Sequence, residues 1–245
     1  MKNNIPSPKG ILFDMDGVLL IMTQSSHQSW HQVCQQFASM LGLSPHQLED
    51  ALQTSQNAYS EEIKHDTHKQ RRDRLQPFET RQEMVHRALE HVGIGDETRA
   101  ADMVRAYEAL RDVHRQLAPS ALETLHTFQD RGVPLALISN GNATYQRQKI
   151  KQHGLAPFFS IILIEEEFGV AKPDERIFRA ALDYLHIKAQ EAWMIGDDLA
   201  LDIEAAQQLG ISAIWFDPDR HIAPNESSVH PDRTIHMLPE LFHLQ

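Results

Sequence analysis

Five short, mostly apolar runs punctuate the chain, at 10–13 (GILF), 133–138 (VPLALI), 161–164 (IILI), 192–195 (AWMI) and 212–216 (SAIWF). Each is continuous rather than alternating, the pattern of strands in a parallel sheet whose faces are both covered by helices. Pro134 sits at the start of its run, where a missing N–H is tolerated. Between the later runs the pattern turns helical. A segment at 142–153 stops at Gly154, one at 174–186 opens on Asp174 as its N-cap, and an Ala- and Gln-rich one at 202–209 stops at Gly210. This alternation predicts an α/β fold with a doubly wound parallel sheet.

From about 21 to 118 the rhythm breaks and only helical pattern is found. Helices are predicted at about 25–41, 45–55, 60–75, 80–92 and 97–117, the second with Ser44 as N-cap and Pro45 as its first helical residue. So long an interval exceeds any crossover connection. It predicts an all-α domain at 22–116, inserted into a sheet-bearing core formed by 1–21 and 117–245.

Composition narrows the classes. With 41% hydrophobic and 23% charged residues the chain is ordinary for a globular protein, not a disordered one. A net charge of -11 argues against a surface that coats a nucleic acid polymer. Cys34 is the only cysteine, which excludes an intrachain disulfide and a CxxC metal site. No stretch is long and apolar enough for a membrane span, and 1–9 (MKNNIPSPK) lacks the apolar region of a signal peptide. A cytoplasmic protein without membrane partners is expected; nothing in the pattern sets an oligomeric state.

The residues that end each run carry the chemistry, because open α/β sheets bind ligands beyond the carboxyl ends of their strands. The first run ends in Asp14 and Asp16, and the second in Ser139-Asn140-Gly141. The third is followed by Lys172-Pro173, and the fourth by Gly196-Asp197-Asp198, with Asp202 four residues on. Hard divalent cations take carboxylate oxygens, which Asp14 and Asp197 can supply. The turn at 139–141 opens a helix, where free N–H groups and the helix dipole favour an anion. Lys172 can neutralise a phosphate and a carboxylate together. A phosphate-and-magnesium site is the reading that reconciles two acids at one strand end, and a carboxylate held there can attack phosphorus.

Four motifs in order, DMDGV at 14–18, SN at 139–140, Lys172 within VAKPDERIF, and GDDLALD at 196–202, make the sequence resemble the haloacid dehalogenase superfamily. The likeness is to its phosphatase-type members with a helical cap inserted after the first strand (C1 cap, subfamily I). It implies that Asp14 is the nucleophile and a metal ligand. It also implies that Asp16 is the general acid and then the base, its backbone carbonyl on the metal. Ser139 and the Asn140 N–H would bind the phosphoryl oxygens, Lys172 would neutralise them, and Asp197 would bind Mg²⁺. Asp202 would hold a metal-bound water or Lys172. Asp198 stands where the family usually carries a small hydroxyl residue, and either supports the site or caps the next helix.

The implied reaction is Mg²⁺-dependent hydrolysis of a small phosphorylated metabolite through an aspartyl-phosphate, the substrate a nucleotide, a sugar phosphate or phosphoglycolate. Asp16 favours phosphate chemistry, since dehalogenating members lack that second acid. A phosphomutase shares every core motif and stays open as an alternative. A phospho-accepting signalling module or a non-catalytic binding protein is the reading from another class. Two positions depart from the family pattern: Val18, where Thr is usual, and Ile21, where many phosphatases carry Asp. The i, i+4 pair His27 and His31 lacks a third ligand in register. The 71–74 run (RRDR) reads as a solvated helix face, and Cys34 as core packing beside Trp30, Phe37 and Leu41.

Overall fold

A computed structural model of the chain describes residues 5–220 and 229–244. Strand β1 (Gly10–Phe13) leads through a tight loop to the short β2 (Leu20–Met22). Five α-helices follow: α1 (Ser26–Phe37), α2 (Pro45–Ile63), α3 (Thr67–Leu75), α4 (Pro77–His91) and α5 (Glu97–Val113). The short β3 (Arg115–Leu117) pairs with β2, and α6 (Ala121–Asp130) leads into β4 (Leu135–Ser139). Next come α7 (Ala143–Gln152), β5 (Ile161–Ile164), α8 (Glu165–Phe168), α9 (Glu175–Leu185) and β6 (Ala192–Gly196). A π-helical turn (Leu199–Glu204), α10 (Ala205–Gln208), β7 (Ser212–Phe216) and β8 (Arg233–Ile235) complete the trace.

Six strands form one sheet in the order β5-β4-β1-β6-β7-β8, every ladder parallel. The chain winds outward from β1 to β4 and β5, then crosses to β6 and winds the other way, as the apolar runs predict. The strands read as unbroken apolar runs because each serves two cores. Side chains alternate across the sheet, so Ile11, Phe13, Leu135, Leu137 and Ile195 bury against one helical layer while Leu12, Ala136, Ile138 and Met194 bury against the other. Among the described residues no helix is long and apolar enough to cross a membrane.

The chain divides into two compact units, one from the described residues of Met1–Ile21 and Leu117–Gln245, the other Met22–Gln116. The second has its own core, where α1, α2, α4 and α5 bury Val33, Leu48, Val85, Leu89 and Val104. Ser25 and Ser44 cap α1 and α2, each in a capping box with the glutamine three residues on. Cys34 lies buried in this core, and burial, with Glu49 adding to it, pushes its thiol up to about 12. The thiolate is the reactive form. The native protein is therefore expected to leave a disulfide reagent such as DTNB unreacted at pH ~8, and to release one equivalent of chromophore on unfolding. Prompt native reaction, read at 412 nm, would contradict this burial.

Several boundaries differ from those the sequence predicts. The predicted breaks near 55 and 60 are absent, and α2 runs on to Ile63. The new helix starts only after Asp66, whose carboxylate accepts from the His68 and Lys69 N–H groups at 3.0 Å each. Helix α4 begins at Pro77 rather than at 80. The segment predicted helical to 117 leaves the helix at Val113, because Arg115–Leu117 pairs with Leu20–Met22. This strand pairing is missing from the sequence pattern, as is β8, since three residues show no period. Helical turns also begin at Leu199 rather than at 202.

Candidate active site

The sheet ladder itself places the first acid. The Asp14 N–H donates to the Ile195 carbonyl at 2.9 Å, one step past the β1–β6 pairing. The chain then turns sharply, with the Met15 carbonyl accepting from the Leu19 and Leu20 N–H groups at 2.9 Å each. Gly17 makes this turn at φ 87°, and a Cβ there would lie 2.1 Å from Asp197 Oδ2. Only glycine supplies both the conformation and the space for that carboxylate.

Lys172 reaches the same place from the segment after α8. Its Nζ donates to Asp14 Oδ1 at 2.7 Å and to Asp202 Oδ1 at 2.6 Å. All three residues are buried, with Asp14, Lys172 and Asp202 8%, 4% and 1% exposed. The Lys172 backbone is clamped in turn. Asn140 Nδ2 donates to the Lys172 carbonyl at 2.9 Å, and the Lys172 N–H donates to Asn140 Oδ1 at 2.8 Å. The Asn140 side chain thus ties the end of β4 to the lysine.

Asp202 owes its place to the π-helical turn. The Ile203 N–H reaches back five residues to the Asp198 carbonyl at 3.2 Å, and π turns of this kind recur at functional sites. Gly196 leaves room beneath, since a Cβ there would fall 2.2 Å from the Asp202 Cβ. Both Asp202 oxygens are engaged, Oδ1 by Lys172 and Oδ2 by the Asp198 N–H at 3.2 Å. The Asp198 carboxylate accepts from the Ala200 and Leu201 N–H groups at 2.8 Å each, which makes it the N-cap of that turn. Asp197 is held through its carbonyl, which accepts from Trp215 Nε1 at 2.9 Å, and its side chain reaches the surface.

Asp14, Asp197 and Asp202 each offer one carboxylate oxygen, all within 4.8 Å of one another, the one such group of metal-ligand type among the described residues. An all-oxygen set suits a hard cation. With both Asp202 oxygens occupied, Asp14 and Asp197 are the acids best able to ligate directly, and Asp202 orients Lys172. The charge count agrees: Asp14, Asp16, Asp197 and Asp202 face Lys172 and Lys149, an excess of two negative charges. Burial raises the Asp14 carboxyl well above its usual range; Lys172 opposes this, and Asp202 and Asp197 reinforce it. Desolvation and the Asp202 charge push Asp197 up to about 6, against the pull of Lys172. Burial alone would lower the Lys172 ammonium, but Asp14 and Asp202 outweigh it and hold it charged.

Asp16 leaves the same turn in another direction. Lys149 Nζ on α7 donates to its two oxygens at 2.9 and 2.8 Å, and Gln146 Nε2 donates to its Oδ2 at 3.0 Å. Gln146 Nε2 also lies 2.7 Å from Ser139 Oγ and 2.7 Å from the Asn140 carbonyl. The N–H groups that open α7 are less available than the sequence suggests. Gly141 N–H donates to Glu165 Oε2 at 2.9 Å and Ala143 N–H to Glu166 Oε2 at 2.6 Å, so carboxylates of α8 already occupy them.

The structure therefore brings together Asp14, Asp197, Asp202 and Lys172, with Ser139, Asn140 and Asp16 joined to them through Gln146 and the Lys172 clamp. It gives His27 and His31 no metal-type cluster among the described residues; His31 pairs with Glu49 at 2.7 Å. Arg72 pairs with Glu83 on the helical surface. Gln146, Lys149, Glu165 and Glu166 go unnoticed in the sequence. One signal was available for Gln146: it shares the inward helical face of α7 with Ile150, where a polar residue calls for a partner.

A family model for haloacid dehalogenase-like hydrolases matches residues 8–210. A phosphoserine phosphatase from Thermus thermophilus is 37% identical over 68% of this chain and 64% of its own length. A ribulose-1,5-bisphosphate 5-phosphatase from Halopiger xanaduensis is 36% identical over 58% of this chain and 60% of its own length. The chain thus spans less than two thirds of these curated relatives. The crystal structure of the HAD-hydrolase YfnB from Bacillus subtilis, bound to magnesium, superposes with a TM-score of 0.68 at 23% identity, covering 98% of this chain and 99% of that one.

Proposed function

The chain belongs to the haloacid dehalogenase-like hydrolases, and from that premise we propose that it is a Mg²⁺-dependent phosphatase of small phosphate monoesters. One observation carries the reading. A buried carboxylate, Asp14, is held at 2.7 Å by a buried lysine, with a second acid, Asp16, two residues away and aimed elsewhere. One group is fixed for attack, and the other, held by Lys149 and Gln146, is placed for proton transfer. The substrates named for the relatives, phosphoserine and ribulose bisphosphate, support the class of small phosphate ester.

In this reading an Asp14 oxygen attacks phosphorus and the bond to the leaving oxygen breaks, while Asp16 gives that oxygen its proton. Water then attacks the aspartyl-phosphate, passing its proton to Asp16 and releasing phosphate and the Asp14 carboxylate. Lys172 faces the charge on the phosphoryl group, and Ser139 and the Asn140 N–H bind its oxygens. A magnesium ion held by Asp14, Asp197 and the Asp16 carbonyl would supply the remaining positive charge, which is most of what phosphoryl transfer requires. Asp202 keeps Lys172 in place. The unit Met22–Gln116 is assigned as the helical cap that the family resemblance implies.

The test is release of inorganic phosphate from a panel of phosphate monoesters, with Mg²⁺ and with EDTA. Turnover with Mg²⁺ and its loss in EDTA are expected, together with a Mg²⁺-dependent rise in melting temperature that Asp197→Asn diminishes. Phosphate transferred to another position of the organic product, rather than released, would identify a phosphomutase instead. Absence of both turnover and any melting response to Mg²⁺ would refute the reading.

A further inference from the structure

Asp14 and Asp16 start from one turn and end on different lysines. Asp14 goes to the buried Lys172, whereas Asp16 is held by Lys149 through both of its oxygens at 2.9 and 2.8 Å. Lys149 is not a loose surface residue, since its side chain is 18% exposed and the half-buried Asp16 lies against it. Pinning a long lysine chain costs rotamer freedom, and an ion pair with a partly exposed acid returns little stability. A structural role explains this contact poorly.

Gln146 strengthens the case. It is buried, and its amide nitrogen carries two hydrogens facing three acceptors: Asp16 Oδ2, Ser139 Oγ and the Asn140 carbonyl. Because Ser139 accepts from this amide, its own hydroxyl hydrogen remains to donate to a phosphoryl oxygen. One amide thus links the residue that would bind the phosphoryl group to the residue that would protonate the leaving group. Gln146 and Lys149 are three apart on α7, on one face of the helix.

We infer that Lys149, assisted by Gln146, is a positioning residue that fixes the Asp16 carboxyl for proton delivery to the leaving oxygen. The inference rests on the phosphatase reading. Lys149 itself exchanges no proton; the one Asp16 gives to the leaving oxygen returns to it from water.

The test compares kcat/KM for an alkyl phosphate, whose leaving oxygen needs a proton, with that for 4-nitrophenyl phosphate, whose leaving oxygen does not. Lys149→Met is expected to lose at least about ten-fold more on the alkyl ester than on the nitrophenyl ester, within the span of general-acid contributions. Lys149→Arg, which keeps a two-oxygen contact, is expected to recover most of that difference. In an Asp16→Asn background, Lys149→Met is expected to add nothing. Equal losses on both esters, or full additivity with Asp16→Asn, would overturn the inference. A crystal structure of Lys149→Met gives a readout independent of turnover. An Asp16 carboxylate displaced on an unchanged main chain supports the role, and one left in place refutes it even if no ester is hydrolysed. Wild type inactive on both esters would count against the phosphatase reading alone.

Discussion

Asp14→Asn is expected to reduce turnover by at least about 10³-fold while leaving the fold unchanged, since it removes the attacking oxygen and little else. The amide retains a carbonyl that can accept from Lys172, so the buried contact at 2.7 Å survives in neutral form. The circular dichroism spectrum and melting temperature should stay close to those of the wild type. Rapid acid quenching of the wild type during turnover, followed by peptide mass spectrometry, should find a phosphorylated peptide containing Asp14 that the variant lacks. A variant retaining more than about a tenth of wild-type kcat/KM would move the nucleophile elsewhere.

Lys172→Met is expected to act on stability as well as on activity. It leaves Asp14 and Asp202, both buried, facing each other without the ammonium that bridges them at 2.7 and 2.6 Å. Removing one partner of a buried ion pair costs about 3–5 kcal/mol, because the remaining charge has no counter-ion. The sign of the pH dependence follows from which state binds protons more tightly. Lys172 has a raised pKa in the fold, so its contribution is present in full below the pKa of an unfolded lysine and is lost only at higher pH. In the variant the Asp14 carboxyl, already raised by burial, loses the opposing Lys172 charge, so the folded form takes up a proton there more readily than the unfolded form. Acidification toward pH ~5 should therefore narrow the stability gap between variant and wild type. Urea melts at neutral and acidic pH measure this directly, and a gap that widens on acidification would contradict the electrostatic account.

Much of the fold is legible in the sequence because parallel strands covered on both faces leave unbroken apolar runs, and helices between them leave caps and terminal glycines. The runs at 10–13, 161–164 and 212–216 coincide with β1, β5 and β7. What escapes is whatever lacks a period. Leu20–Met22, Arg115–Leu117 and Arg233–Ile235 are too short to show one, and each becomes a strand only through pairing. The convergence of Asp14, Ser139, Lys172 and Asp202 is legible for a geometric reason, since Ser139 ends a strand, the others come after one, and strand ends share one edge of the sheet. The partners of Asp16 are not. Lys149 and Gln146 sit within a helix more than a hundred residues from it, where only a three-dimensional path brings them together. The carboxylates that fill the opening N–H groups of α7 are hidden likewise, since Glu165 and Glu166 look like an ordinary acidic first turn of their own helix.

The pairing of β2 with β3 has a consequence for how the chain can be edited. The Ala118 N–H donates to the Leu19 carbonyl at 2.9 Å, so the sheet-bearing unit closes across the point where the helices enter and leave. From the viewpoint of that unit, everything from Met22 to Gln116 is the loop of a single hairpin. Closure entropy grows with the logarithm of loop length, by about 0.6 kcal/mol per doubling, so inserts of comparable length are borne at nearly the same cost. The junction is in effect a socket, into which a different helical segment of comparable length could be spliced without altering the register of the parallel strands.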